Sequence, residues 1–274
     1  MRNILIEGLN APPLEEQKFE VVERKGLGHP DYICDSLMDK VSVNLCSEYI
    51  KKLGYILHHN TDKGMLVSGK VNGKLGGGDI LDPMLLVFGD RATFEAEGVE
   101  FDIENIVTNT AKEWFSDNLR FVDPSQIEYQ IELKSGSSEL TDIFRRNEKG
   151  EVLGANDTSA AVGYAPFTFT EWIVHETEKY LNSPTFKKEY PESGEDVKIM
   201  GVRSDNRIHF TVAMPLIDRF VDSENEYFRT KHEILNEIED FVSKYAETES
   251  NPLFTSISLN TLDEPGRGLN GIYT

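Results

Sequence analysis

Val197-Lys198-Ile199-Met200-Gly201-Val202-Arg203 and the run Ile208 to Leu216 flank Ser204-Asp205-Asn206, a polar trio that reads as the turn of a β-hairpin. Working outward, Thr170 to Leu181 has helical spacing and follows a strand-like run, Ala160 to Ala165. Beyond the hairpin, Glu224 to Tyr245 reads as a long helix and Leu253 to Leu259 as a closing strand. The resulting order is β-α-β-β-α-β, the split βαβ arrangement, so the predicted class is α+β.

The first half shows the same order with one added strand. Phe19 to Glu23 reads as a strand, and a helix follows in which Cys34, Leu37, Met38, Val41, Leu45 and Tyr49 recur at helical spacing to about Leu53. Tyr55 to His59, Met65 to Lys70 and Met84 to Gly89 read as strands. A helix on Ile103, Ile106, Val107, Trp114, Phe115 and Leu119 comes next, and then the alternating strand Ile127, Tyr129, Ile131, Leu133. The expected division is a first α+β unit over 1–150, carrying the loop 25–31, and a second over 151–274.

The chain has 274 residues, with 28 Lys and Arg against 48 Asp and Glu, a formal charge of −20. Such an acidic surface argues against nucleic acid and against anionic lipid, so an anionic ligand needs locally gathered cations or a bound metal. No run is long and apolar enough for a membrane span or a secretory signal. Two cysteines without a CxxC pair, Cys34 and Cys46, read as core positions of one helix and fit a reducing cytoplasm.

Lys25-Gly26-Leu27-Gly28-His29-Pro30-Asp31 places two glycines, a histidine and a carboxylate between a strand and a helix N-terminus, where unpaired N–H groups suit phosphate. His29 could hydrogen-bond a phosphate or a leaving oxygen and Asp31 could hold Mg²⁺; equally, Pro30-Asp31 could simply start the helix, with Asp31 as its cap. Asn156-Asp157-Thr158-Ser159 reads either as a turn or as a holder of a polar head group. In Gly194-Glu195-Asp196-Val197-Lys198, Asp196 and Lys198 are two apart and share a strand face, which by default is solvated. Adjacent His58 and His59 on a strand would point to opposite faces, which argues against a zinc site, and Asp62 and Lys63 read as polar groups at a strand end. Gly76-Gly77-Gly78-Asp79 lacks a Walker or dinucleotide pattern and signals close backbone approach or a flexible loop.

Taken in order, Val22 to Asp31, His58 to Lys63, Gly76 to Asp79, Gly89-Asp90-Arg91-Ala92-Thr93, Ala155 to Ser159 with Gly163 to Pro166, and Gly194 to Lys198 with Met200 to Arg203 resemble the archaeal-type methionine adenosyltransferases. The resemblance runs from about Glu20 to about Thr261. It implies S-adenosylmethionine formation from ATP and L-methionine, with release of phosphate and diphosphate. It also implies split βαβ-like units about a pseudo-threefold axis, active sites between the subunits of a homodimer or larger assembly, and Mg²⁺, with K⁺ allowed as a second ion. By position, His29 would contact the triphosphate, Asp31 would bind Mg²⁺, and Asp157, beside Asn156, would hold methionine or adenosine. Asp196 and Lys198 match adenosine and phosphate contacts, and Asp62, Lys63 and Arg203 fall in active-site segments. A family segment containing Gly-Thr-Ser-Ala-Glu does not occur in this sequence, which leaves the third unit incomplete. The alternative is a non-catalytic relative that binds nucleotide or pairs with a full-length subunit.

Overall fold

The computed structural model describes residues 4–8, 10–136, 162–246 and 254–274. In chain order the strands are β1 (Phe19–Lys25), β2 (Asn60–Val67), β3 (Lys70–Asn72), β4 (Asp79–Asp82), β5 (Met84–Arg91), β6 (Glu95–Ala96), β7 (Val99–Glu100), β8 (Ile127–Lys134), β9 (Lys198–Ser204), β10 (Arg207–Ala213), β11 (Leu216–Ile217), β12 (Phe254–Leu259) and β13 (Ile272–Tyr273). The helices are α1 (Pro30–Leu53), α2 (Ile103–Asn118), α3 (Phe169–Leu181), α4 (Pro184–Glu189) and α5 (Glu224–Ala246).

Two mixed sheets carry the fold. In the order β2-β5-β8, β5 runs antiparallel to β2 and parallel to β8, and α2 is the crossover between the parallel pair. In the order β1-β9-β10-β12, β10 runs antiparallel to β9 and parallel to β12, with α5 as the crossover. Each sheet buries one face against its helices. Val41, Leu45 and Tyr49 of α1 and Val107, Ala111 and Phe115 of α2 pack with Leu86 and Phe88 of β5. Ile173 and Val174 of α3 and Ile234, Ile238 and Val242 of α5 pack with Ile199, Phe210 and Val212. The opposite faces stay open, with Val21 and Met65 more than half exposed. The class is α+β with mixed sheets, and a helix, a hairpin, a crossover helix and a parallel strand recur in both halves.

Several local expectations are corrected. β1 pairs antiparallel with β9, so the chain's first strand lies in the sheet of the second half. Element order cannot show this, but chemistry explains it: Glu20 and Arg24 face the helix layer, and their partners Arg203 and Glu178 lie in the second half. The strand expected at Tyr55–His59 instead starts at Asn60 and runs through Asp62 and Lys63, because β2 is a sheet edge where polar side chains stay in water. Of the run Ala160 to Ala165, residues 162–165 are not strand and Ala160 and Ala161 lie outside the described residues. Cys34 and Cys46 are free and half-buried on α1 rather than in its core. The glycine-rich turn joins β3 to β4 and makes the expected close approach: the Gly78 N–H donates to the Asp218 carboxylate at 2.6 Å.

The last residues are tied down by one buried carboxylate. Asp263, 5% exposed, accepts the Tyr227 hydroxyl and the N–H groups of Asn270 and Gly271, and so holds β13 beside β11. Burial raises its pKa, but these donors outweigh burial and leave it below the usual range. A carboxylate depressed in the folded state contributes stability above its unfolded pKa of about 3.9 and loses it as pH falls through the lower folded value. Asp263→Asn should therefore cost about 2 kcal/mol at neutral pH, and the gap to the parent should narrow below about pH 4. Urea unfolding at a series of pH values checks this, and a gap of constant size would refute it.

Candidate active site

The loop between β1 and α1 is pressed onto the loop that leads into β9. The Gly26 N–H donates to Val197 O at 2.7 Å and the Gly28 N–H to Glu195 O at 2.9 Å. A Cβ on Gly28 would stand 2.5 Å from the Glu195 carbonyl carbon and 2.6 Å from the Asp196 nitrogen, so only glycine fits. His29, not Asp31, caps α1: its Nδ1 accepts the Asp31 N–H at 3.1 Å, with Pro30 in the first turn. That leaves the Asp31 carboxylate outside the helix, where it pairs with Lys25.

Across this joint, Lys25 is the direct antiparallel partner of Lys198. Like charges opposite each other in a ladder repel, and acidic neighbours offset the repulsion here. Glu23 lies 2.8 Å from Lys198 and 3.9 Å from Lys25, while Asp31 takes Lys25 from the helix side. Lys198 beside Glu23 holds that carboxyl low, and Lys25 does the same for Asp31. Asp196 enters from the loop before β9, and its Oδ2 accepts the Tyr273 hydroxyl at 3.0 Å. Burial pushes the Asp196 carboxyl up, against the pull of Tyr273, His29 and Lys198. Burial, with Asp196 adding, pushes the Tyr273 phenol up to about 12.

The structure thus brings His29, Asp31, Asp196 and Lys198 together, and adds Lys25, Glu23 and Tyr273. Tyr273 had no signal in the sequence, since it lies 77 residues from Asp196 and outside every quoted motif. The other candidates lie elsewhere. Lys63 pairs with Asp62 at 2.6 Å, and Asp62 is hydrogen-bonded to Asp90, whose acidity is lowered by burial and by that neighbour. No hydrogen bond or ion pair joins that group to the 25–31 loop among the described residues. Arg203 faces away from Lys198 on the opposite side of β9, is 8% exposed, and donates to Glu20 and to the carbonyls of Gln17 and Leu14. Its partners make it a brace between β9, β1 and the segment before β1. Asn156 and Asp157 lie outside the described residues. Among the described residues no group of three or more His, Cys, Asp or Glu could by itself hold a metal.

Two lysines facing each other beside a glycine loop and a helix N-terminus, each held by a carboxylate that an anion could displace, form an arrangement able to bind polyphosphate. The fold and this cluster define an α+β protein with a charged joint between the start of its first helix and a strand of its second half. A family model described as S-adenosylmethionine synthetase (AdoMet synthetase) matches residues 2–274, and the chain belongs to that family. It is 39% identical over 269 residues to the probable S-adenosylmethionine synthase of Aquifex aeolicus, covering 97% of this chain and 66% of that one. It is 41% identical over 276 residues to the S-adenosylmethionine synthase of Caldivirga maquilingensis, covering 98% and 66%. The chain therefore spans just under two thirds of the length of these relatives. An S-adenosylmethionine synthetase structure from Campylobacter jejuni is 15% identical, with a TM-score of 0.47, covering 90% of this chain and 59% of that one. No helix of the described residues is long and apolar enough to cross a membrane.

Proposed function

We propose that the chain is the part of a methionine adenosyltransferase that holds the triphosphate of ATP, and that the observation carrying this reading is the Lys25–Lys198 pair beside His29 and Asp31. Methionine sulfur attacks the ribose carbon and the carbon–oxygen bond to triphosphate breaks. The electron pair leaves with the triphosphate, which is then hydrolysed to phosphate and diphosphate. The nucleophile is neutral and carries no proton to remove, so the chief demand is stabilisation of charge on the leaving group. Lys198 and Lys25 would exchange their carboxylate partners for phosphate oxygens, and His29 would hydrogen-bond the triphosphate. Asp196 would hold adenosine.

Asp31 fits Mg²⁺: its side chain is 60% exposed and, among the described residues, is paired with Lys25 alone, and an ion that arrives with phosphates needs one or two protein carboxylates. When bound, Mg²⁺ supplies charge neutralisation along the polyphosphate. A catalytic role for Lys63, the roles of Asn156, Asp157, Asp62 and Arg203 in substrate binding, K⁺ as a second ion, a homodimer with shared sites, units over 1–150 and 151–274 with a pseudo-threefold arrangement, and a cytoplasmic location belong to the same reading and rest on the family.

Calorimetry with ATP, paired with a product assay on one preparation, tests it. A chain of these 274 residues should bind ATP weakly and only with Mg²⁺, while forming little or no S-adenosylmethionine. Only groups that favour the transition state raise the rate, and the relatives hold a further third of their length that these residues do not match. Failure to bind Mg²⁺-ATP would refute the proposed role. Product formed only after mixing with a full-length subunit would favour the partner-subunit alternative.

A further inference from the structure

Arg120 follows α2 in the first half, yet its acceptors belong to α4 and to the loop that leads from α4 into β9. Its Nε donates to the Glu195 carboxylate, its Nη1 to the carbonyls of Pro191 at 3.3 Å and Lys187 at 3.4 Å, and its Nη2 to the carbonyl of Ser193. Glu195 in turn offers its own carbonyl to Gly28 and, at 3.3 Å, to Asn182. From the far side, the buried Lys187 ammonium donates to Gly194 O at 2.6 Å and to Ser193. The loop that ends in Asp196 and Lys198 has no regular secondary structure over residues 194–197. Backbone bonds fix it on one side, from the Gly194 N–H to Pro215 O at 2.8 Å and from the Ile217 N–H to Glu192 O at 2.7 Å, and these side chains hold it on the side of the first half.

We infer that Arg120 is a positioning residue: through Glu195 and the carbonyls of residues 187–193 it sets the loop that carries Asp196 and against which the Gly26–His29 segment is seated. It touches neither His29 nor Lys198 and acts through the backbone between them. A planar fork of five N–H donors can reach four acceptors spread over the end of α4 and the loop after it, which an ammonium point charge cannot. That this seat serves ATP rests on the function proposed above; that Arg120 sets the seat does not.

Hydrogen exchange on the 274-residue chain separates the two. In Arg120→Gln, exchange in peptides covering 24–30 and 191–197 should quicken by about tenfold or more, while β10 keeps the parent's protection. Arg120→Lys should stay close to Arg120→Gln, and Mg²⁺-ATP affinity should fall by about tenfold in both. Unchanged exchange in both peptides overturns the inference, as does full rescue by lysine, which would make charge and not the fork decisive. Weakened ATP binding with unchanged exchange would also overturn it, since Arg120 would then meet the ligand itself. If the parent binds no ATP, the proposed function fails and the exchange result still decides the role of Arg120. Should Arg120→Gln not fold, Glu195→Gln removes the ion pair, keeps the carbonyl for Gly28, and is read in the same two peptides.

Discussion

Glu20→Ala should cost the folded chain about 3–5 kcal/mol, the range seen when one member of a buried ion pair is removed and the other is left without its partner. Arg203 would keep the carbonyls of Leu14 and Gln17 but lose its only carboxylate, and the Thr168 hydroxyl would lose the acceptor it meets at 2.6 Å. The loss falls on the joint that holds β1 to the second sheet and the N-terminus of α3 to both. Urea or thermal unfolding reads it directly. Joint replacement, Glu20→Leu with Arg203→Met, should recover much of the stability, because an apolar pair of similar volume escapes the desolvation cost. A fully stable Glu20→Ala protein would favour the reading of Arg203 as a ligand contact.

Lys198→Ala should slow S-adenosylmethionine formation roughly 10²-fold in any preparation that turns over, the usual loss when one preorganised donor to a developing charge is removed. Folding should be spared, since the Lys198 side chain is 39% exposed and its removal also relieves the repulsion with Lys25. Steady-state kinetics with methionine and ATP varied separately check the assignment. A change confined to the apparent methionine affinity would make Lys198 a binding residue instead.

Much of this was legible because periodicity and turn chemistry act over short spans. The hairpin at Ser204 to Asn206, the helix from Pro30 to Leu53 and the long helix to Ala246 follow from local patterns. A period of two put Asp196 on one strand face with Lys198, whereas β9 starts at Lys198 and Asp196 lies in the loop before it, so their proximity rests on the fold of that loop. The destination of β1 was not legible, because its alternation is satisfied by any sheet edge and only the partners of Glu20 and Arg24 decide between them. The bracing partners of Arg203 were hidden for a related reason: its motif marks the strand but not which face a given side chain takes. Arg120 is beyond sequence reasoning altogether, since its acceptors lie 67 to 75 residues away, on a helix too short to announce itself and the irregular loop after it. α4 and the β13 segment were likewise missed, being too short for a pattern to accumulate.

The pairing of β1 with β9 also sets an order of events on the ribosome. β1 emerges well before its partner strand, and Lys25 meets Lys198 only after a further 173 residues have been made, the difference between their positions in the register. Until then the nascent strand carries unpaired edges and two charged side chains, Glu20 and Arg24, with no partner to receive them. Contacts of such long sequence separation form late and slow folding. The two lysines therefore cannot face each other before β9 has been made, and a capacity to bind polyphosphate through them would be acquired no earlier than that pairing.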